Sequence, residues 1–166
     1  MVVEHLFSGS AVDAVGLDGA VRLPPFILRV VEGGAGVGRM MVGAHESDPC
    51  LTAWEPRRAP ALHGEVERQR LRDEAEGAPL TEHHARARRL FGFVEDAIID
   101  RGRLLIPPMM RRKGRIEGRV LFVGTGTGFE IWNPQVARSA GDPTLREIAE
   151  YRLGIESEEI GEGGAI

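Results

Sequence analysis

Short apolar runs, separated by glycine, proline and aspartate, recur along the first half of the chain and predict short strands with one short helix. The pattern favours a strand over residues 6–15, a turn over residues 18–22 and a helix over residues 26–31, led by a proline pair that suits a first helical turn. Two further strands are predicted at residues 39–43 and 50–54. The first half is therefore a unit with the order strand, turn, helix, strand, strand.

The second half repeats this order. A strand, a turn, a second strand, a short basic helix and a hairpin are predicted at residues 92–99, 100–103, 104–106, 107–114 and 120–132. Repetition on this scale indicates one architecture built from two like halves.

Polar helical segments join and follow the two units. Residues 59–76 carry too thin an apolar stripe for a core helix, and a second helix, capped by Thr81, is predicted to run toward Phe91. A C-terminal helix over residues 144–153 precedes an acidic, glycine-rich segment whose composition predicts disorder. The chain is thus divided into a first repeat, a helical connector, a second repeat, a C-terminal helix and a disordered tail, at residues 5–58, 59–90, 91–135, 136–153 and 154–166.

One motif occurs in both halves and carries the candidate chemistry. It consists of an aspartate, a glycine or its substitute, an arginine, apolar residues and a proline pair. The fuller copy runs from Asp100 to Pro108, and an altered copy runs from Asp18 to Pro25. Each half thus presents an arginine at a turn, which suits an anionic polymer better than a small substrate.

Size and cysteine usage narrow the class of protein. The 166 residues suffice for one domain or for two small repeats that share a core. No apolar run approaches the roughly 20 residues of a membrane span, and the first residues lack the cationic region of a secretory signal. Cys50 is the only cysteine, which excludes an internal disulfide and a thiolate metal cluster within the chain. We therefore expect a cytoplasmic protein without a membrane segment.

Charge is strongly segregated along the chain. The net charge is −4, yet residues 101–119 contain seven arginine and lysine residues against a single acid, Glu117. Beyond Asp142 the balance is acidic. The local potential, rather than the average, sets the attraction for a polyanion, so the acidic total does not exclude DNA as a partner.

Other motifs offer weaker chemistry. The glycine clusters at residues 33–38 and 124–128 lack the strand–loop–helix context that places a helix N-terminus at a phosphate. The histidines show no i, i+4 metal spacing, and no nucleophile–histidine–acid set can be placed. We expect no enzyme activity, no metal site and no cofactor.

Arginine beside a strand has a concrete use in binding nucleic acid. Its forked donors can contact phosphates or read guanine. An aspartate in the same turn could hold the arginine extended by a charge-assisted hydrogen bond, or the pair could simply staple its own turn. The repetition of the pair, and the basic helix that follows it, favour DNA.

Residues 102–108, residues 124–132, which end in Phe-Glu-Ile-Trp, and residues 85–92 together resemble the MraZ family of bacterial transcriptional regulators. The resemblance covers about residues 5–153. It implies an α+β fold in which two tandem AbrB/SpoVT-like repeats, of the swapped-hairpin type, form a small β-barrel core with peripheral helices.

The resemblance also implies a function. It implies ring-shaped homo-oligomers, cytoplasmic and nucleoid-associated, that bind short direct repeats of double-stranded DNA upstream of a division and cell-wall gene cluster. In the family an Asp-x-x-Gly-Arg turn supplies a candidate DNA contact, which carries over here to Arg22 with Asp18 and to Arg103 with Gly102. Arg101 is a further candidate that does not come from the family pattern.

This sequence departs from the family pattern at both turns. In the first, Val21 stands for the glycine and about two residues are missing between Arg22 and Pro25. In the second, Asp100 is one residue too close to Arg103. A turn re-formed around valine, at a cost of ~1 kcal/mol, could direct the first arginine elsewhere.

The prediction is a sequence-specific DNA-binding regulator that needs no cofactor. The altered first turn and the acidic tail leave one alternative open, an oligomeric protein-interaction module or antitoxin-like paralogue with reduced DNA binding.

Overall fold

The computed structural model describes residues 6–33 and 38–164, with side chains for residues 6–32 and 38–154. His5 and most of the glycine cluster at residues 33–38 lie outside the described residues. The strands are β1 Ser10–Ala14, β2 Ala20–Arg22, β3 Arg39–Ala44, β4 Leu51–Trp54, β5 Val94–Asp100, β6 Arg103–Leu105, β7 Arg119–Gly124 and β8 Phe129–Trp132. The α-helices are α1 Pro25–Gly33, α2 Ala59–Ala75, α3 Leu80–Ala87, α4 Pro108–Lys113, α5 Pro134–Arg138 and α6 Pro143–Gly164. A 3-10 turn, Pro56–Arg58, precedes α2, and a π-helical turn, Arg88–Gly92, follows α3.

The strands form a single antiparallel sheet in the order β1-β7-β8-β4-β3-β5-β6-β2. A bridge between Val15 and Val21 brings the two outermost strands together, so the sheet curls into a nearly closed barrel. Closure protects strand edges that would otherwise pair with other chains. The predicted α+β fold with a small β-barrel core is confirmed.

The two halves of the chain exchange strands within this barrel. β1 of the first half pairs with β7 of the second, and β5 of the second half pairs with β3 of the first. The pairs β4 with β8 and β2 with β6 also join one half to the other. The halves therefore share one core, as the predicted swapped-hairpin arrangement requires.

Reciprocal hydrogen bonds establish which residues of the two halves correspond. The backbone N–H of Leu23 donates to the carbonyl of Gly102 at 2.9 Å, and the N–H of Ile106 donates to the carbonyl of Gly19 at 3.1 Å. Each bond is the image of the other, so Gly19 corresponds to Gly102 and Leu23 to Ile106. The halves are thus related by a pseudo-twofold axis between β2 and β6.

This correspondence aligns residues 19–25 with residues 102–108 without a gap. Val21 then matches Leu104, and the two pair across β2 and β6 with exposed fractions of 1% and 0%. The predicted turn at residues 18–22 is therefore wrong in extent, because its second half is strand β2. Val21 is a core residue of that strand.

The core explains why β7 is apolar at four consecutive positions, residues 120–123. Val120 and Phe122 point into the barrel, where the Phe122 ring meets Phe129 edge to face at 5.9 Å between centroids. Leu121, between them, points outward into a second cluster with Trp132, beneath α5 and α6. A strand covered on both faces carries apolar residues at consecutive positions rather than at alternate ones.

The helices differ from the predictions at three places. Thr81 does not cap α3, because the helix begins at Leu80 after an extended Pro79. Helix α5 was not predicted, although Asn133 accepts the N–H of Gln135 at 2.9 Å, a standard N-cap signal. Helix α6 continues past the predicted end at residue 153, so the backbone is helical to Gly164 where disorder was expected. None of the described helices is long and apolar enough to cross a membrane.

Leu104 provides a test of the shared core. Replacing Leu104 with alanine removes a fully buried side chain at the pseudo-axis and is expected to lower the free energy of unfolding by about 2–5 kcal/mol. The neighbouring Leu105, which is 42% exposed, is the matched control. Leu105→Ala is expected to change the free energy of unfolding far less. Denaturant titration of both variants measures the difference, and equal losses would contradict the assigned register.

Candidate nucleic-acid interface

The second turn is a two-residue hairpin that joins β5 to β6. Arg101 and Gly102 occupy it with φ values of 51° and 76°. Positive φ at both central residues is the type I′ geometry, whose twist suits an antiparallel hairpin. Gly102 adopts this geometry readily, but Arg101 is held in a left-handed conformation that costs a side-chain-bearing residue roughly 1–2 kcal/mol. The exposed Arg101 side chain is therefore displayed at the tip by a strained backbone.

The first turn is one residue longer than the second. Its glycine with positive φ is Gly19, whereas the prediction placed that position at Val21. The N–H of Gly19 donates to the carbonyl of Gly16 at 2.9 Å, and Gly19 has φ of 85°. Asp18 accepts the N–H of Ala20 at 3.1 Å through Oδ1, so this carboxylate braces its own turn. Gly19, not the position of Val21, supplies the positive φ.

The sequence correspondence between the two turns is corrected by this register. Arg103 corresponds to Ala20, and Arg22 corresponds to Leu105. The prediction that the first turn lacks its glycine and two further residues is wrong, because a shift of two positions aligns the copies without a gap. The expected penalty for valine in the turn does not arise.

Arg22 nevertheless lies beside the second turn, directly opposite Arg103 in the β2–β6 ladder. Both side chains are exposed, whereas the central pair of the same ladder is buried, so the two arginines share the outer face of the barrel. Directly opposed residues on one face have Cβ atoms about 4.5–5.5 Å apart. The structure thus brings Arg22, Arg101 and Arg103 to one edge of the barrel, which we call the arginine edge.

The arginine edge has little internal charge compensation. Across the described residues, the side chains of Arg22, Arg101 and Arg103 form neither ion pairs nor hydrogen bonds. Asp100 is opposite Arg103 in the β5–β6 ladder but does not form an ion pair with it, and Asp18 is occupied within its own turn. Neither predicted aspartate–arginine contact is therefore formed in the described part of the chain.

Like charges placed directly opposite each other destabilise a sheet. An anion bound between Arg22 and Arg103 would remove this repulsion and would accept hydrogen bonds from both guanidinium groups. The phosphate of a nucleic-acid backbone has the charge and the oxygen geometry for such contacts. The arginine edge is thus suited to bind a polyanion.

Arg111, on helix α4, is a further cation near the motif that the sequence did not single out. A Cβ at residue 19 would lie 2.6 Å from the Nε of Arg111 and 2.8 Å from its Cζ, so the guanidinium rests on the bare glycine of the first turn. The sequence predicted a basic helix at this place. It carried no signal that a helix of the second half covers a turn of the first.

A separate cluster of ligand-type side chains contains His45, Cys50 and Glu130, whose donor atoms lie within 4.8 Å of one another. His45 Nδ1 accepts the N–H of Asp48 at 3.0 Å, and Nε2 lies 3.1 Å from Glu130 Oε2. Trp132 Nε1 donates to the same carboxylate at 2.9 Å. Hydrogen bonds therefore already engage the imidazole and carboxylate, and burial raises the pKa of the Cys50 thiol, which disfavours the thiolate that metals require. The cluster is best explained as support for the β4–β8 region.

The His45–Glu130 pair predicts a pH-dependent stability. The hydrogen bond with Glu130 raises the pKa of His45, although burial opposes it. Burial would raise the pKa of Glu130, but the hydrogen bonds with His45 and Trp132 outweigh it and lower that pKa. The histidine contribution is fully present below its ordinary pKa of 6.5 and is lost as pH rises through the raised value.

The free energy of unfolding is therefore expected to fall as pH rises above about 6.5 in the wild type. In Glu130→Gln this decline is expected to be smaller, because the neutral amide no longer favours the charged imidazole. Denaturant titrations across this pH range measure both slopes. A steeper decline in the variant would contradict the assigned pairing.

The opposed arginines make a second prediction about stability. Replacing Arg22 with threonine, which favours strands, is expected to raise the free energy of unfolding by about 0.2–1 kcal/mol at low salt, because it removes the cross-strand repulsion. The gain should shrink as added salt screens the charges. Thermal melting at two ionic strengths measures the gain in stability. If Arg22→Thr were less stable than the wild type at both ionic strengths, Arg22 and Arg103 would not repel each other.

Comparison with known proteins relates this barrel to a family. No family profile matches the chain. A protein of Pseudomonas syringae pv. tomato named transcriptional regulator MraZ is 31% identical over 146 residues, which cover 86% of this chain and 90% of that protein. Proteins of the same name from Thermoanaerobacter sp. and Legionella pneumophila are 40% and 33% identical over 79 and 84 residues, which cover 44% and 48% of this chain.

In the Thermoanaerobacter and Legionella matches, this chain spans about half of the relative's length, 55% in each case. The Pseudomonas match instead covers nearly the whole of both proteins and includes both repeats. The resemblance found in the sequence is therefore confirmed, and the chain belongs to the MraZ family of transcriptional regulators.

Proposed function

We propose that this protein regulates transcription by binding double-stranded DNA with the arginine edge. The observation that carries the proposal is the placement of Arg22 from one repeat opposite Arg103 from the other, both exposed and neither in an ion pair within the described part of the chain. The relatives named as transcriptional regulators support the same role.

The proposed binding mode begins with the phosphate backbone. Arg22 on β2 and Arg103 on β6 donate hydrogen bonds to phosphate oxygens of the DNA. Arg101, at the hairpin tip, extends further and contacts a phosphate or a base edge. No cofactor takes part. Gly102 contributes the turn geometry rather than a contact, and Asp18 contributes the bracing of the first turn.

Oligomerisation supplies the affinity that one small edge cannot. Subunits linked in a ring, on short direct repeats of DNA, gain effective concentration and with it about 10²–10⁴-fold in avidity. Leu105 and Ile98, 42% and 59% exposed, and Leu17 at the tip of the first turn offer apolar surface for contacts between subunits. The proposed target is a promoter upstream of a division and cell-wall gene cluster, and the proposed location is the nucleoid.

The same exposed apolar residues favour a second candidate function. Leu105 lies two residues from Arg103 on the same exposed face of β6. A protein-interaction module, or an antitoxin-like paralogue, would use this surface for a protein partner and would bind DNA weakly or not at all. The two functions differ in the salt dependence of DNA binding.

Fluorescence anisotropy with duplexes from the gene's own upstream region separates these functions. At two salt concentrations, we expect the wild type to prefer its repeats over scrambled DNA and to bind more weakly at higher salt. Arg103→Ala is expected to weaken binding roughly 10-fold and to lower the log–log salt slope by about 1, because one phosphate contact is lost.

Arg68→Ala is the matched control, because it removes another exposed cation, from helix α2. It is expected to leave affinity within about twofold of the wild type. If the wild type showed no salt-sensitive binding, or if both variants behaved alike, the proposed role of the arginine edge would be wrong.

A further inference from the structure

We propose that Arg111, on a helix of the second repeat, makes the DNA contact at the first turn, where the repeat's own arginine position is occupied by Ala20. This inference rests on the proposed function and adds to it a residue outside the turn motif. The two turns would therefore take their DNA-contacting arginines from different elements. At the second turn the arginines belong to β2 and β6, and at the first turn the arginine belongs to α4.

The pseudo-twofold axis explains how α4 reaches the first turn. Each short helix covers the turn of the other half, at the third residue after its first proline. On the second turn this residue is Leu28, whose side chain lies 3.8 Å from where a Cβ of Gly102 would be. On the first turn the corresponding residue is Arg111, which covers Gly19. Thus the turn with arginines is covered by leucine, and the turn without one is covered by arginine.

The Arg111 side chain is held in place but is not neutralised. Its Nε is buried and has no hydrogen-bond partner in the described residues. Its two terminal nitrogens make no hydrogen bond there either, and the residue as a whole is half-buried, so part of it remains accessible to solvent. The Asp18 carboxylate, the acid next to Gly19 in the turn, accepts the N–H of Ala20 and does not form an ion pair with Arg111.

Gly19 is what allows this placement. It is buried beneath the guanidinium, and any side chain at residue 19 would occupy the space of Arg111 Nε, Cζ and Cδ, which lie 2.6–2.9 Å from the position of its Cβ. A guanidinium stacked on a backbone turn has lost much of its rotamer freedom before DNA arrives. Binding a phosphate therefore costs less conformational entropy than it does for a mobile surface arginine.

Binding of the upstream-region duplex to the full chain tests this inference. Arg111→Met keeps an unbranched stem over Gly19 and removes the charge. It is expected to weaken binding roughly 10-fold and to lower the salt slope by about 1. Arg112→Met, the matched control, removes an exposed cation from the next position of the same helix and is expected to weaken binding less than about threefold.

A rescue experiment identifies the position as well as the charge. Ala20→Arg places an arginine at the residue that corresponds to Arg103, and in the Arg111→Met background it is expected to restore most of the lost affinity. Failure of this rescue, together with equal effects of Arg111→Met and Arg112→Met, would overturn the inference.

A measurement on the wild type covers the case in which a variant does not fold. Phenylglyoxal modifies solvent-accessible guanidinium groups, and mass spectrometry locates the adducts. The duplex is expected to protect Arg111 and to leave Arg112 reactive. Protection at Arg103 without protection at Arg111 would overturn this inference and leave the proposed function standing. An absence of salt-sensitive DNA binding by the wild type would overturn both.

Discussion

Pairing between β2 and β6 governs both the stability of the barrel and the arrangement of its charged edge. The pair Val21 with Leu104 lies at the pseudo-axis and is buried. Because side chains alternate along a strand, burying that pair turns the next pair of the ladder, Arg22 with Arg103, outward on the opposite face. The same register therefore packs the core and places one arginine of each repeat side by side.

The charged edge has a cost that the rest of the molecule offsets. Two opposed arginines repel, and Arg101 is held at a positive φ. The barrel tolerates both because strands from both halves enclose one core, which contains Leu23, next to Arg22, and the corresponding Ile106. An overall net charge of −4 does not weaken this edge, since charges more than about 8 Å away are largely screened at physiological salt. Bound anions would relieve the repulsion, which links the folding energetics to the proposed function.

Much of the architecture was predictable because both repeats contain residues that favour one local structure strongly. The two proline pairs start α1 and α4, and the two glycines of residues 102 and 19 mark the turns. What misled the sequence interpretation was the Val21-Arg22 dipeptide, which imitates Gly102-Arg103 two positions too late. Local resemblance cannot distinguish these registers. Tertiary contacts distinguish the two alignments. In the gap-free alignment the buried Val21 and Leu23 match residues that are buried in the second repeat, Leu104 and Ile106.

The parts that escaped prediction have different causes. The cover of Arg111 over Gly19 requires the exchange of strands between the halves, which no spacing along the chain encodes. The extension of α6 to Gly164 similarly runs against the composition of that segment, which is acidic and rich in glycine. Helix α5 is a different case, because Asn133 followed by Pro134 is a local signal that starts a helix.

A double-mutant cycle on DNA affinity tests whether Arg22 and Arg103 bind the same phosphate. The dissociation constants of Arg22→Ala, Arg103→Ala and the double variant are measured on the upstream-region duplex at one salt concentration. If both arginines bind the same phosphate, the loss in the double variant differs from the sum of the single losses by about 0.5–3 kcal/mol. Additive losses, within about 0.3–0.5 kcal/mol, would contradict a shared contact and would mean that the two repeats bind DNA separately.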